Sequence, residues 1–397
     1  MSYPTDLTAE EQELAQARLR ELAARFVADG VLRSPMWREV FQRTWRHPYV
    51  PSFYPALDAP CLLCIDPQRR AEWLGAVYRD QTLITKVVQV PLSRALRPGS
   101  YPVYTSSSTL PSLVLRMLEA LDVHDGQRVL EIGTGTGYHA ALLCERLGSE
   151  CVTSIDIDPE LVELAGERLA ANGYTPTLAA VDGAGGYPPG APYERIIATC
   201  AVRAIPPAWL DQAAPGAVIL ADVHGPLGGT LARLTVDAAD TATGRFLPDW
   251  AGFMWLRHTP GLAPPEPRLW SDDEPVDSVS AVDPALLSDG LFGFVAQWHL
   301  PDVTWGPTPD NGAAAIHLWA PDGSRAVART TTVAGGGFPV SQAGPRRLWN
   351  RVEEAYRFWE DTGRPHYDQF GITATPTEQY VWYAHPGSPH RWPLLNP

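Results

Sequence analysis

The segment most suggestive of chemistry is a glycine-rich turn, Val129-Leu-Glu-Ile-Gly-Thr-Gly-Thr-Gly-Tyr138. It combines a short apolar strand that ends in an acid, a glycine at every second position, and the start of a helix. Because glycine has no side chain, the backbone N–H groups of this turn can approach a ligand closely at the helix N-terminus, which suits a nucleotide-like cofactor. A dinucleotide fingerprint needs a further glycine where Tyr138 stands. The turn therefore predicts a cofactor other than a dinucleotide, with a tight turn that binds nothing as the alternative.

This spacing of glycines after an acidic strand end resembles the S-adenosylmethionine loop of class I methyltransferases. With that cofactor, a carboxylate at the end of the next strand would accept hydrogen bonds from both ribose hydroxyls. Asp156 lies there, 19 residues after Gly137, close to the separation expected for a ribose-binding acid. Asp158 is better interpreted as the cap of the helix that starts at Pro159.

Two further acids complete the predicted cofactor site. Asp182 closes the third strand, near the expected adenine amino group, and Glu131 closes the first, near the expected ammonium group and the loop backbone. Each acid alone also fits an ordinary strand end or cap. The predicted cofactor-binding residues are Glu131, Gly133, Thr134, Gly135, Gly137, Tyr138, Asp156, Ile157, Asp182 and Gly183.

The elements that must position these residues alternate between strand and helix over residues 105–236. Such alternation predicts an α/β fold with a parallel, doubly wound sheet covered by helices on both faces. The predicted strands are Arg128–Ile132, Cys151–Ile157, Thr177–Ala180, Tyr193–Thr199, Ala217–Asp222 and Thr230–Val236. The predicted helices are Pro111–Leu121, Tyr138–Leu147, Pro159–Asn172 and Pro207–Ala213.

The flanking regions have a different character. Residues 1–104 predict helices over 6–30 and 35–44, then an irregular stretch with a β-leaning piece at Thr82–Pro91. Residues 258–397 predict a small α+β domain, and residues 105–257 the cofactor-binding domain. In this tail the predicted strands are Leu291–Leu300, Ala313–Trp319, Ala326–Thr332 and Gln379–His385, and the predicted helix is Pro345–Thr362.

Composition restricts the partners. The net charge of −14 over 397 residues argues against binding to nucleic acid or to anionic membranes. No run of about 18 apolar residues predicts a membrane span, and the N-terminus has no apolar signal core. We therefore expect a cytoplasmic enzyme, with oligomeric state left open. Cys61 and Cys64 have metal or redox spacing, but no second pair follows, so a buried thiol pair and no metal site are predicted.

Four segments together resemble protein-L-isoaspartate O-methyltransferases. The match covers roughly residues 10–257, and its most family-specific part is the third segment. The segments are Thr105–Val114, Val129–Ala140, Asp182–Ile197, and Ile205–Leu210 with Pro215-Gly216 and Phe253–Arg257.

The resemblance implies a substrate-binding loop before the cofactor turn. Family members carry a Ser-Gln-Pro core there, whose hydroxyl contacts the substrate carboxyl group, and this chain has Thr109-Leu-Pro111. Thr109 is therefore predicted to contact the reacting carboxylate. Ser107 and Ser108 are predicted as further hydroxyl donors or helix caps, Ser106 as a substrate contact, and His224 as a substrate contact from a later loop. His139 is read mainly as a packing residue.

The leucine in place of glutamine and the tail after residue 257 favour a particular branch of this family. The tail segments Gly344–Trp349, Gly363–Pro365 and Phe370–Ala374 look like methyltransferases encoded beside ribosomally made, modified peptides of the graspetide, lanthipeptide and lasso types. That likeness implies methylation of an aspartate in a precursor peptide, followed by collapse of the ester to an aspartimide. Repair of isoaspartyl proteins is the alternative enzyme, and a non-catalytic peptide-binding module is the alternative of another class.

Overall fold

The computed structural model describes residues 6–54, 64–91, 100–237, 240–258, 273–310 and 312–394. The chain divides into two compact units. Unit 1 comprises Met1–Cys200, Asp211–Leu220 and Met254–Ala263, and unit 2 comprises Ala201–Leu210, Ala221–Phe253 and Pro264–Pro397. The N-terminal region that composition sets apart thus falls in the same unit as the glycine-rich turn.

Unit 1 contains the parallel strands that the sequence predicts. They are β3 (Val129–Ile132), β4 (Val152–Asp156), β5 (Thr177–Ala180) and β6 (Tyr193–Val202), in the order β6-β3-β4-β5. The pairings among these four strands are parallel, with Val129 opposite both Val152 and Arg195. Strands β3 and β4 are wholly buried, as expected for a parallel sheet that is covered on both faces.

The connecting helices of unit 1 begin and end where local sequence signals place them. They are α4 (Pro111–Leu121), α5 (Tyr138–Leu147) and α6 (Pro159–Ala171). Helix α6 starts with proline at its first position, and the Asp158 side chain accepts a hydrogen bond from the Glu160 N–H, which confirms the predicted cap. Helix α7 (Pro207–Asp211) belongs to unit 2 except for Asp211. Strand β7 (Ala213–His224) begins in unit 1 beside β6, and its last residues belong to unit 2.

The N-terminal part of unit 1 is helical, followed by a hairpin. Helix α1 (Ala9–Ala28) has a capping box formed by Thr8 and Glu11. Helices α2 (Pro35–Arg43) and α3 (Arg70–Val77) follow. Strands β1 (Leu83–Pro91) and β2 (Ser100–Ser108) pair antiparallel. The hydroxyl-rich stretch before Thr109, predicted as a loop, is therefore largely the end of a strand.

Unit 2 contains two antiparallel arrays of strands. The first has β8 (Gly229–Val236), β9 (Ala242–Phe246), β15 (Phe370–Ala374), β16 (Gln379–Tyr383) and β17 (Arg391–Pro393), in that order. The second has β10 (Val276–Ser280), β14 (Phe338–Ala343), β13 (Arg325–Arg329), β12 (Ala313–Trp319) and β11 (Thr304–Asp310), in that order. Helices α8 (Gly290–His299) and α9 (Leu348–Asp361) complete it.

Two predictions about local structure are wrong. Leu291–Leu300 was predicted as a strand, but it is helix α8, whose N-terminus is capped by Asp289 accepting from the N–H groups of Leu291 and Phe292. Most of this helix is buried, so its apolar run has no period that could separate helix from strand. The predicted buried thiol pair is wrong for Cys64, which is exposed, and Cys61 lies outside the described residues.

Candidate active site

A pocket in unit 1 gathers the glycine-rich turn, the strand end after β4 and the hydroxyl-rich end of β2. From these elements it takes Thr105, Ser106, Ser107, Thr109, Ile132, Gly133, Gly135, Ile155, Asp156 and Ile157. Gly183, Thr199, Cys200 and the segment 254–257 complete the lining. The pocket thus brings together residues predicted for the cofactor and residues predicted for the substrate.

The turn needs its glycines for two physical reasons. Gly133 has φ of 102° and Gly137 has φ of 88°, a left-handed region that side chains disfavour. A Cβ on Gly133 would also clash with the Thr199 hydroxyl oxygen. The N–H groups of Gly133 and Thr134 donate to the Ile155 carbonyl at 2.8 and 3.1 Å. These contacts hold the turn against the end of β4.

Asp156 lies in the pocket where a ribose-binding carboxylate is predicted. One of its oxygens accepts from the Gly135 N–H at 2.9 Å and the other from the Asp158 N–H at 3.1 Å. Burial raises the pKa of this carboxyl group above its usual range, while the two backbone hydrogen bonds oppose the shift. Each oxygen retains acceptor capacity, as pairing with a vicinal diol requires.

Glu131 lies beneath the turn and is not among the residues that line the pocket. It is fully buried, and one oxygen lies 2.6 Å from His139 Nδ1 while the other accepts from the Ser154 hydroxyl at 2.5 Å. The Ser154 hydroxyl in turn lies 2.7 Å from that of Thr134. This geometry makes Glu131 a support of the turn. The predicted roles of Thr134 and Glu131 as direct cofactor contacts stay predictions.

Asp182 also has protein partners in this structure. One oxygen accepts from the Ala184 N–H at 2.9 Å, and the other lies 3.1 Å from His258 Nδ1. The adjacent Gly183 does line the pocket, where a Cβ would stand 2.6 Å from the Ile132 side chain. Tyr138, at the start of α5, is buried and outside the lining, and burial raises the pKa of its hydroxyl.

The hydroxyl groups of the β2 end differ in their availability. Thr105 is buried in the lining, and its hydroxyl has no hydrogen-bond partner. Ser106 accepts from the Thr85 hydroxyl at 3.0 Å. Ser108 is not in the lining, and its hydroxyl accepts from Arg46 at 3.1 Å. Thr109 is half-buried in the lining, where its hydroxyl could reach a bound carboxylate.

Several lining residues were not predicted as site residues. Thr199 donates to the carbonyls of Ile132 and Gly133 at 3.2 and 2.8 Å. Arg257 donates to the Thr105 carbonyl at 3.0 Å. Their roles depend on contacts between distant segments, which no local pattern announces. Only the family-like segment Phe253–Arg257 carried a sequence signal.

His224 belongs to unit 2, where it lines a second cavity together with Arg203, Gly225, Gln297 and Trp298. The His224 Nδ1 lies 3.5 Å from an Asp222 oxygen. Its predicted contact with substrate stays a prediction. Among the described residues, no group of three or more His, Cys, Asp or Glu side chains could hold a metal ion. In the same part of the chain, no helix is both long and apolar enough to span a bilayer.

Comparisons with known proteins agree on one family. Residues 65–236 match the sequence model of the family described as protein-L-isoaspartate(D-aspartate) O-methyltransferase. A protein-L-isoaspartate O-methyltransferase of Ignicoccus hospitalis is 46% identical over 116 residues, covering 29% of this chain and 55% of that protein. Another from Methanopyrus kandleri is 30% identical over 211 residues, covering 52% of this chain and 77% of that protein.

The sequence matches cover only part of some relatives, and a structural match extends over more of this chain. The chain spans only 55% and 62% of the length of the relatives from Ignicoccus hospitalis and Archaeoglobus fulgidus. A solved protein-L-isoaspartate O-methyltransferase matches 93% of this chain and all of that one, with a TM-score of 0.52 and 16% identity. That likeness shows a shared fold, and its extent includes most of the chain after residue 257.

Proposed function

Because the chain belongs to the protein-L-isoaspartate O-methyltransferase family, we propose that it is an S-adenosylmethionine-dependent carboxyl O-methyltransferase that acts on isoaspartyl residues. The observation that carries the proposal is the pocket of unit 1. It joins the glycine-rich turn and Asp156 to the hydroxyl side chains of Ser107 and Thr109 in one cavity. The residues proposed to bind the cofactor and those proposed to bind the substrate carboxylate thus line the same pocket.

The residues of this pocket fit S-adenosylmethionine. Asp156 presents two oxygens with remaining acceptor capacity for a ribose diol. The Thr105 hydroxyl is buried and unpaired in the lining, so a bound polar ligand would remove the cost of that unmade hydrogen bond. Ile132, Ile155 and Ile157 offer apolar wall.

Methyl transfer to a carboxylate requires little general acid–base catalysis from the protein. When bound, the cofactor supplies an electrophilic methyl group on a sulfonium. An isoaspartyl carboxylate is already ionised at neutral pH, so no general base is required. The protein must exclude water and hold one carboxylate oxygen about 3 Å from the methyl carbon, in line with the bond that breaks. Thr109 is the proposed donor to the other oxygen, and Ser107 the proposed second donor.

The choice of substrate rests on the family and not on the tail. A solved structure with the family's name shares its fold with 93% of this chain, so residues beyond 257 do not by themselves favour a different substrate. The second candidate is methylation of an aspartate in a ribosomally made precursor peptide, with aspartimide formation. Its support is Leu110 beside Thr109, where the family resemblance expects glutamine.

One experiment tests these functions together. The protein is incubated with S-adenosylmethionine and an isoaspartyl peptide, its aspartyl twin, or a precursor peptide encoded nearby, and the products are weighed by mass spectrometry. We expect a gain of one methyl ester on the isoaspartyl peptide alone. Net loss of water from the precursor peptide would favour the second candidate. No product and no cofactor binding would leave a peptide-binding module and overturn the proposal.

Thr109 provides a sharper test of the pocket. We expect Thr109→Ala to lower kcat by about 10- to 100-fold, since a hydrogen bond to a charged group contributes about 1.5–3 kcal/mol. Thr109→Ser keeps the hydroxyl and is the matched control, with activity near that of the unaltered protein. Equal activity of the alanine and serine variants would remove Thr109 from the reaction.

A further inference from the structure

Arg46 follows helix α2 in unit 1, and only 1% of its surface is exposed to solvent. Its guanidinium makes an unusually complete set of hydrogen bonds. It donates to the Ser108 hydroxyl at 3.1 Å, to the Ser108 carbonyl at 2.9 Å and to the Thr109 carbonyl at 3.1 Å. It also donates to the carbonyls of Val77, Arg79 and Gln81 at 3.1–3.3 Å. Half of these bonds therefore end on Ser108, the last residue of β2, and on Thr109, which follows it toward helix α4.

The positive charge of Arg46 is stabilised by hydrogen bonds to backbone carbonyls and to one hydroxyl. Among the described residues, no carboxylate lies within ion-pair distance of it, and Asp80 attracts it only at longer range. Burial lowers the pKa of Arg46 to about 10, so the group stays protonated at neutral pH. Removing one partner from such a buried, hydrogen-bonded charge is costly. The position of the carbonyls that surround it is consequently fixed.

We propose that Arg46 is a positioning residue for methyl transfer, which sets the Thr109 hydroxyl against the acceptor carboxylate by holding the carbonyls of Ser108 and Thr109. This inference rests on the proposed function. It also accounts for Ser108, whose hydroxyl is engaged by Arg46 and whose side chain stays out of the pocket lining. Of the hydroxyl-bearing residues predicted to be catalytic, Ser108 therefore acts through the arginine and not on substrate.

Electrostatics adds a second effect in the same direction. Backbone carbonyl oxygens repel a carboxylate, and here those of Ser108 and Thr109 are turned toward a cation. The acceptor carboxylate is therefore repelled less by these two carbonyl oxygens, because the positive charge of Arg46 offsets their partial negative charge. A lysine would keep the charge, but it lacks the planar fork that reaches several carbonyls at once.

Arg195 supplies a matched control within the same unit. It is also buried, and its guanidinium donates to the carbonyls of Leu121, Asp122 and Glu194 at 2.6–3.1 Å. It is not part of the pocket lining. Arg46→Lys and Arg195→Lys thus each remove a buried guanidinium that donates to several backbone carbonyls. Only Arg46 donates to residues next to the pocket.

The experiment compares the two variants in kcat, in KM for the isoaspartyl peptide, in cofactor affinity and in melting temperature. We expect Arg46→Lys to lower kcat by about 10- to 100-fold, as displacement of a reacting group by about 1 Å can do. Cofactor affinity should stay within about 2-fold of the unaltered protein. Arg195→Lys should change melting temperature comparably and leave kcat unchanged. Equal kcat in both variants, or a matching loss of cofactor affinity with Arg46→Lys, would overturn the inference.

A double-mutant cycle shows whether Arg46 acts through Thr109. In the Thr109→Ala background we expect Arg46→Lys to lose most of its effect on kcat, because the hydroxyl that it positions is gone. An undiminished effect would contradict the proposal. If Arg46→Lys does not fold, Ser108→Ala replaces it in the cycle, since it removes a single bond of the same guanidinium. Inactivity of the unaltered protein on every acceptor would instead contradict the proposed function.

Discussion

Two carboxylate–histidine pairs, one in each unit, are built very differently; both carboxylates are buried, but His139 is buried and His224 is half-buried. In unit 1 Glu131 and His139 are 2.6 Å apart, and the second Glu131 oxygen accepts from Ser154. In unit 2 Asp222 and His224 are 3.5 Å apart. One Asp222 oxygen accepts from a backbone N–H, and the other has no partner. Only the first pair satisfies both oxygens of its carboxylate.

The surroundings continue this contrast. Near His224, Gln297 is fully buried with neither amide atom hydrogen-bonded, and the Trp298 indole N–H is likewise unpaired. Beneath the glycine turn, Glu131 is part of a continuous chain of hydrogen bonds. A buried carboxylate with both oxygens hydrogen-bonded stabilises the backbone around it, although the His139 Nε2 has no partner. Buried polar groups that lack such bonds cost free energy that a partner could recover. The two regions should therefore respond to substitution with opposite sign.

The largest effect is expected at Glu131. Glu131→Leu leaves His139 and Ser154 without their shared carboxylate, and breaking a buried pair in this way costs about 3–5 kcal/mol of the free energy of unfolding. Denaturant titration followed by tryptophan fluorescence measures the loss. A cost under about 1 kcal/mol would mean that the network beneath the turn does not support it, and the contrast between the units would fail.

The next effect concerns cofactor affinity. Asp156→Asn removes the charge of the carboxylate proposed to accept hydrogen bonds from the ribose hydroxyls, and we expect affinity for S-adenosylmethionine to fall by about 10- to 100-fold. Because burial raises the pKa of Asp156, acidification protonates it at a higher pH than an exposed aspartate. Affinity measured by calorimetry should therefore weaken as pH falls, and less so in the variant. Asp158→Asn, at the helix cap, is the control and should bind normally.

The pH dependence of stability extends the comparison to two histidines, of which His47 is buried and His299 is half-buried. Burial lowers the pKa of both His47 in unit 1 and His299 in unit 2 to about 4. Unfolded histidine titrates near 6.5, so the unfolded chain binds more protons between about pH 6.5 and 4, and stability falls as pH falls through that range. Either replacement by phenylalanine should flatten this dependence.

At neutral pH the two variants should differ. His47 Nδ1 lies 2.7 Å from the Tyr78 hydroxyl, so His47→Phe removes that hydrogen bond at a cost of about 1 kcal/mol. The buried His299 Nε2 has no hydrogen-bond partner, so His299→Phe should cost less. Denaturant midpoints at pH 7 and pH 5 test both statements. Equal losses at pH 7 would contradict the difference.

The smallest effect, with the opposite sign, is expected at Gln297. Gln297→Met removes an unpaired buried amide, so the free energy of unfolding should stay within about 1 kcal/mol or rise. Gln212 in unit 1 is the matched control, since its amide donates to the Gly185 carbonyl and accepts from the Tyr187 N–H. Gln212→Met should destabilise by about 1–3 kcal/mol. Similar losses in both would show that Gln297 is not under-bonded.

The regular α/β part could be predicted because its signals are local. The predicted bounds of α4, α5 and β5 are confirmed to the residue, and those of α6 within one residue. Prolines at first helical positions, the Asp158 cap and short apolar strands are read from neighbours in the sequence. Strands β9, β10, β11, β14, β15 and β17 were missed. Strands β9 and β10 pair with distant partners, β15 and β14, and β11, β14 and β17 contain proline, which argues against a strand in a sequence pattern.

The candidate site divides in the same way. Gly133 and Asp156 were found because strand ends and glycine spacing lie within one short segment, and both line the pocket. Arg46 was not found, because it contacts carbonyls 31 to 63 residues away. No local pattern distinguishes an arginine that will be buried from one that stays in solvent.

By itself, the sequence determined the parallel core, the glycine turn and the acid that ends β4, since each follows from spacing along a few residues. Only the tertiary structure decided which polar groups are saturated and which remain open. Glu131 is satisfied by His139 and Ser154, while Thr105 keeps an unpaired hydroxyl in the pocket. Hydrogen-bond saturation is a property of packing, because the partner of a buried group is supplied by whichever distant segment folds against it.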